Sequence, residues 1–408
     1  RIARDVQGKI NWNNDLIGEI WTDRPAIFGE PVFCLAEQYS GKSTKEKLAA
    51  VRRQMKHLGA DVHVLTTLDD IAWLFNIRGN DIPCNPVALC YAVLTAETAH
   101  LFIHEQAVFE AVREVLKQDN IELQPYDAIY DYVRKIDVSK TILLDAERIN
   151  YAIYKSISGT IVDEMNPEIE MKAIKNPVEI ENLKNCHIKD GVAVTKFLYW
   201  IKNAIGKQNI TEMSASDYLE DRRKEQSHFM ELSFDTISAY GEHAAMMHYS
   251  ATEESNAKLS PKGMLLVDSG GQYLEGTTDI TRTVVLGFVT DQMKQHYTAV
   301  VRGMLNLASI QFLQGCRGGN LDILAREPLW NLGLDYRCGT GHGVGYFLNV
   351  HEPPNQFRWR TNGGMDQSAV LKEGMITTDE PGVYLENQYG IRIENELLCC
   401  KGIQNEYG

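Results

Sequence analysis

Two aspartates frame a glycine-rich turn in "VDSGGQYLEGTTDITRT", residues 267–283. Asp268 closes the apolar run "MLLV", and Asp279 opens the run "ITRTVVL". A carboxylate buried without a partner is expensive, so each needs a proton, a cation or a solvated position. A strand, a turn around "QYLEG" and a returning strand would bring the two onto neighbouring strands, within reach of one ligand. Taken alone, the pair reads at least as well as two turn-capping aspartates. A second stretch, "TTDEPGVYLENQYGIRIENELL", repeats the oddity: Glu380 precedes Pro381 and Gly382, and Glu394 falls on the Arg392 face of a strand whose other face carries Ile391 and Ile393. Glu394 by itself would be an ordinary surface residue. Two hairpins that each carry acids among apolar strand residues are harder to dismiss.

The stretch "CGTGHGVGYFLNVHEPP" adds an imidazole. Glycines at 339, 341, 343 and 345 allow close backbone approach around His342, and His351 follows nine residues on. A phosphate-loop reading fails, because no Lys-Ser/Thr pair follows the glycines. Four carboxylates (Asp268, Asp279, Glu380, Glu394) with His342 can hold two divalent cations at charge balance. Oxygen-rich donors of this kind favour Mn²⁺, with Zn²⁺ or Co²⁺ as alternatives. A pair of ions about 3.5–4 Å apart polarises a carbonyl and activates water, the chemistry of hydrolysis.

The elements that must position these residues are legible in outline. "KEKLAAVRRQMKHLG" has helical apolar spacing and a closing glycine, and "ADVHVLTT", "PVALCYAVLT", "AHLFI" and "TILLDA" read as strands, with "QAVFEAVREVLKQ" as a helix between them. That is an α/β layer domain. Two prolines near residue 170 mark a border, and Asn176, Pro177 and Glu179 fit a helix cap, a first-turn proline and an early acid. Helices are expected over 177–205, 214–226 and 290–314. Strand and hairpin signals occupy the rest of the second half, which makes it an antiparallel α+β domain.

Composition bounds the partners. The chain has 408 residues, 44% hydrophobic content and a formal charge of −14, with no cluster of Lys and Arg, which argues against nucleic-acid and anionic-membrane surfaces. No apolar run approaches the roughly 20 residues of a membrane helix, and no leader pattern is apparent, so a cytoplasmic location is expected. The eight cysteines lack a C-x-x-C spacing and read as reduced, buried thiols.

At the residues quoted above, and in "WTDRPA", "IAWLFNIRGNDIPCNPV", "HIKDGVAVTKFLYW" and "LSFDTISAYGEHAAMMHYS", the sequence resembles the M24 metallopeptidases of the pita-bread fold, specifically the three-domain Xaa-Pro aminopeptidases. The resemblance covers nearly the whole chain. It implies an α+β protein in which residues 1–28 are the tail of a preceding domain or a linker. Residues 29–170 would then be an α/β creatinase N-terminal-like domain, and 171–408 a pita-bread catalytic domain truncated at its C-terminus. By the family's motifs, Asp268, Asp279, His342, Glu380 and Glu394 would ligate two metal ions, Asp279 and Glu394 bridging. Glu380 would take the proton from the attacking water, His248 and His351 would steady the substrate carbonyl, and Arg392 would orient a ligand carboxylate. The implied substrates are peptides with proline second, and the implied assembly a homodimer of the full-length protein. A prolidase restricted to Xaa-Pro dipeptides, and a non-catalytic binding protein on the same scaffold, are the alternatives. Cys338 departs from the pattern, since many members carry histidine there; a thiol cannot supply an imidazolium charge.

Overall fold

The structure is a computed structural model that describes residues 7–9, 14–25, 27, 29–360 and 369–406. The expected tail, residues 1–28, falls partly outside the described residues; what is described there includes a short exposed helix, Leu16–Ile20.

Helix α1 (Thr44–His57) is the first long helix of the first domain, after a short strand at Phe33–Cys34 that pairs with Ile77–Arg78 and a single turn at Glu37–Ser40. It starts on Ser43, whose hydroxyl accepts from the Glu46 amide while Glu46 reaches back to the Ser43 amide, and it buries Leu48, Val51 and Met55. Strand β1 (Val62–Leu65) follows, buried throughout, then helix α2 (Leu68–Leu74) and the two-residue strand β2 (Ile77–Arg78). Strands β3 (Cys90–Thr95), β4 (Ala99–Ile103), β5 (Ile121–Pro125), β6 (Thr141–Leu144) and β7 (Thr160–Asp163) complete a six-stranded sheet ordered β5-β4-β3-β1-β6-β7. Strand β3 runs antiparallel to β1 and β4, and the other pairings are parallel. The central strands β4, β3, β1 and β6 are largely apolar and buried, whereas the edge strands β5 and β7 are more polar and partly exposed.

Helix α3 (Pro167–Ala173) leads into α4 (Pro177–Ala204). The expected cap is present: Asn176 Oδ1 accepts from the amides of Val178 and Glu179, and Glu179 accepts from the Asn176 amide. Helix α5 (Glu212–Lys224) packs on α4, and Phe197, Ile201 and Leu219 meet Leu265 and Val284 in a core beneath the sheet that carries the acids. Each such fully buried side chain contributes ~1.5–3 kcal/mol.

That sheet consists of β8 (Ile237–Tyr240), β9 (Met264–Ser269) and β10 (Ile280–Val285), all antiparallel. Helix α6 (Asp291–Ala308) ends six residues before the expected 314. Helix α7 (Gly318–Trp330) was not anticipated, because two glycines open it and Pro328 lies inside it, both marks of a loop. Strands β11 (Gly341–Gly343), β12 (Glu352–Phe357), β13 (Ile376–Asp379) and β16 (Asn395–Leu398) form a second sheet ordered β12-β11-β13-β16, and β14 (Gly382–Leu385) with β15 (Tyr389–Arg392) makes a hairpin between β13 and β16.

Candidate metal centre

The connection between Asp268 and Asp279 is not the single turn expected. A small hairpin, Gly271–Tyr273 with Gly276–Thr277, is inserted between β9 and β10. Asp268 pairs across the ladder with Thr281, two residues beyond Asp279, so both carboxylates emerge at one end of the sheet. Glu380 and Glu394 sit where the β13–β16 ladder gives way to the β14–β15 hairpin, just beyond the Asp379–Asn395 pair. Both faces of β15 and of the residues after it are buried: Ile391 and Ile393 enter a core with Val383, and Arg392 and Glu394 turn toward the acids.

His342 is central in β11, and its glycine neighbours are sterically required. A Cβ on Gly341 would lie 1.7 Å from the Thr378 carbonyl, and one on Gly343 would lie 2.2 Å from that of Glu352. His342 Nδ1 is 2.8 Å from the Gly343 carbonyl, which can only accept, so Nδ1 carries a proton and Nε2 is the nitrogen turned toward the acids. That Nε2 lies 3.5 Å from Asp279 Oδ2 and 3.6 Å from Glu380 Oε1. Ligand atoms of Asp279, His342 and Glu394 all fall within 4.8 Å of one another.

The donor set fits divalent cations. Arg392 donates to Asp268 Oδ2 from Nη2 at 2.5 Å and from Nε at 3.1 Å, whereas the buried Oδ1 of Asp268 has no hydrogen-bond partner among the described residues. Thr281 donates to Glu394 Oε2 at 2.7 Å, and Thr378 to Glu380 Oε1 at 3.4 Å. Burial, reinforced by the neighbouring carboxylates, holds Asp279 and Glu394 well above the ordinary carboxylate range, and burial raises Glu380 as well. Acids so placed demand positive charge, and a doubly charged ion would reverse the shift.

A cavity of about 590 Å³ opens over these groups, lined also by His248, His351, Cys338 and Tyr384. The rings of His342 and His351 are 4.2 Å apart. Burial and the adjacent His342 and His248 push His351 down to about 4, so at neutral pH its imidazole is uncharged. Burial lifts the Cys338 thiol to about 11, which leaves it uncharged too. Sequence reasoning missed several contributors. Tyr384, whose hydroxyl accepts from Arg392 Nη1 at 2.8 Å, and Thr281 had no spacing signal. Arg358, at the cavity wall, belongs to no motif.

The mixed-sheet domain and the acid-bearing antiparallel domain together define a metallopeptidase-type chain of the pita-bread class. Residues 23–179 match the creatinase/prolidase N-terminal domain and residues 181–401 match metallopeptidase family M24, and the chain belongs to that family. It is 40% identical over 393 residues to Xaa-Pro aminopeptidase 1 of Dictyostelium discoideum, covering 94% of this chain and 62% of that protein. It is 41% identical over 404 residues to a probable Xaa-Pro aminopeptidase P of Tuber melanosporum, with coverage of 94% and 65%. The crystal structure of an X-prolyl aminopeptidase from Caenorhabditis elegans, described as a cytosolic enzyme with a di-nuclear active site, superposes with a TM-score of 0.89 at 37% identity, covering 95% of this chain and 64% of that one. The chain thus spans somewhat under two thirds of the length of these relatives.

Proposed function

We propose that this chain carries the catalytic part of an Xaa-Pro aminopeptidase, which hydrolyses the bond between the first residue of a peptide and a proline in second position. The observation that carries the reading is the convergence of Asp279, His342 and Glu394, with Asp268 and Glu380 beside them, at the floor of an open cavity. In this reading Asp268, Asp279, His342, Glu380 and Glu394 would hold two divalent ions, and the hardness of four carboxylates favours Mn²⁺. When bound, such ions would supply Lewis-acid polarisation of the scissile carbonyl and a water acidic enough to ionise near neutral pH.

The chain's own groups do the remainder. Glu380 accepts the proton of the attacking water and delivers it to the leaving nitrogen. That nitrogen must gain a proton as the C–N bond breaks, because an unprotonated amide anion is too basic to leave. Neutral His351, with His248 across the cavity, donates to the carbonyl oxygen as its charge grows. Arg392 holds Asp268 with two of its donors and the Tyr384 hydroxyl with a third, which fixes the carboxylate's orientation. The proline preference is supported by the similarity to Xaa-Pro aminopeptidases, and a dimeric assembly by the family resemblance. A cytosolic location is supported by the nematode enzyme's description and by eight free cysteines. No helix among the described residues is long and apolar enough to cross a membrane.

The test is release of the first amino acid from matched Xaa-Pro-Xaa, Xaa-Pro and Xaa-Ala-Xaa peptides by chelator-stripped protein, with and without Mn²⁺. Metal-restored cleavage of Xaa-Pro-Xaa alone is expected. Preference for the bare dipeptide would make the protein a prolidase, and no cleavage under any metal would end the hydrolase reading.

A further inference from the structure

Between His342 and His351 the chain makes a loop, residues 344–350, that leaves its own domain. Tyr346, Phe347 and Leu348 are buried, and the Leu348 side chain is part of the first domain's hydrophobic core, among Leu74, Ile77 and Val87. Phe347 is held at φ +49°, a left-handed conformation unfavourable for a bulky residue, so the surroundings must impose it.

What imposes it is largely Arg78 of β2. This guanidinium is fully buried and donates from Nε to the Phe347 carbonyl at 2.5 Å and from Nη2 to the Tyr346 carbonyl at 2.9 Å. Its Nη1 is anchored at home, on the carbonyls of Ala72 and Ile77 at 3.0 and 2.9 Å. The guanidinium also lies over the Phe347 ring, 5.6 Å from its centre. Asp69, at the start of α2, adds a second hold: its Oδ1 accepts from the Asn349 amide at 3.0 Å, and the Asn349 side chain in turn accepts from the His351 amide at 2.8 Å. The chain of contacts therefore runs from the first domain to the backbone of His351 without a gap.

We propose that Arg78 is a positioning residue for His351, acting through the 344–350 loop, so that the first domain sets the geometry of a site it does not line. The inference rests on the aminopeptidase reading for what His351 does, but not for whether Arg78 holds the loop. Lysine is the discriminating replacement, because it keeps the charge yet cannot span two carbonyls and two anchors with one planar fork. A misplacement of about 1 Å at a reacting group can cost on the order of 10²-fold in rate.

The test compares the wild-type chain with Arg78→Lys and, because Arg78 is fully buried, with Asp69→Ala, which changes a less buried position. Turnover of an Xaa-Pro-Xaa peptide, bound Mn²⁺ per chain and amide hydrogen exchange are read on each. In Arg78→Lys we expect kcat to fall about 10- to 100-fold, with KM and Mn²⁺ content within roughly twofold of wild type. Exchange should quicken across 344–351 while β1 and α4 stay protected. Asp69→Ala should show the same signature to a smaller degree. Unchanged exchange in the loop, unchanged kcat despite a loosened loop, or a general loss of protection in both domains would each overturn the proposal. Should Arg78→Lys fail to fold, Asp69→Ala decides by the same three readouts. Should the wild-type chain cleave no peptide, the aminopeptidase reading is what fails, and the exchange pattern alone upholds or overturns the hold of Arg78 on the loop.

Discussion

Glu380 is asked to do two things that pull against each other. In the mechanism proposed above it stays ionised beside other acids to hold a cation, and it then accepts a proton in the course of reaction. Burial raises its affinity for a proton, and His342 at 3.6 Å and Arg392 at 4.0 Å offset this only in part. Glu380→Gln keeps the shape and one oxygen donor but removes the base. The expected outcome is an intact fold with kcat lowered about 10²- to 10⁴-fold in steady-state assays of a proline-containing tripeptide, and near-normal turnover would remove Glu380 from the mechanism. At this scale the sequence was informative where acids stood among strand residues, since a buried charge advertises its need for a partner. Thr281 and Tyr384 were silent, because a hydroxyl that supports an acid or an arginine has no characteristic spacing. Arg392 is the intermediate case: its alternation with Ile391 and Ile393 did not reveal that both faces of that strand are buried.

Helix α4 lies under the acid-bearing sheet, and beside their apolar packing a buried polar contact ties the helix to the hairpin inserted between the two aspartates. Asp190 receives Arg223 Nε at 2.7 Å and Nη2 at 2.9 Å from α5, and the Tyr273 hydroxyl at 2.9 Å from the small hairpin inserted between Asp268 and Asp279. Asp190 and Arg223 are buried, so the pair is desolvated on both sides. Burial would raise the Asp190 carboxyl, but Arg223 and the Tyr273 hydroxyl more than offset this and hold it below the usual range. Removing one partner leaves an uncompensated charge. Asp190→Ala should therefore cost about 3–5 kcal/mol, seen as a lower urea midpoint with an unchanged slope. A loss below ~1 kcal/mol would mean that Arg223 finds solvent or another acceptor. Elements of this kind are legible when their ends carry chemistry: α4 was placed from Asn176, Pro177 and Glu179. Helix α7 was invisible because Gly318, Gly319 and Pro328 contradict it locally. It forms because tertiary contacts outweigh propensity, with Asp322 and Arg326 buried as an ion pair at 2.8 Å and Arg326 bonded to the carbonyls of Tyr336 and Cys338 just ahead of His342.

The whole molecule is held as one object by polar groups where its two domains meet, and sequence patterns give no hint of these because each partner lies a hundred or more residues from the other. Lys172 of α3 stands 3.6 Å from Asp70 in the first domain and 3.5 Å from Glu352, the neighbour of His351, in the second. Next to it, His63 of β1 donates from Nδ1 to the Leu143 carbonyl at 3.1 Å and faces Glu168 of α3 through Nε2 at 3.2 Å, with both side chains out of solvent. Burial alone would lower the His63 pKa, but the Glu168 carboxylate and the hydrogen bonds more than offset this, so it is raised above its unfolded value. The sign follows. An imidazolium favoured in the folded state stabilises fully below the unfolded value, near 6.5, and that stabilisation fades as pH climbs through the raised folded value. Above it a neutral ring confronts a bare buried carboxylate. His63→Gln abolishes the titration while retaining a donor toward Glu168, so the stability gap between wild type and variant should be widest near pH 6 and close progressively toward pH 9. Urea midpoints measured at intervals across that range decide it: a gap independent of pH would mean that His63 is already neutral in the fold, and that α3 is fastened to the first-domain sheet by packing rather than by charge.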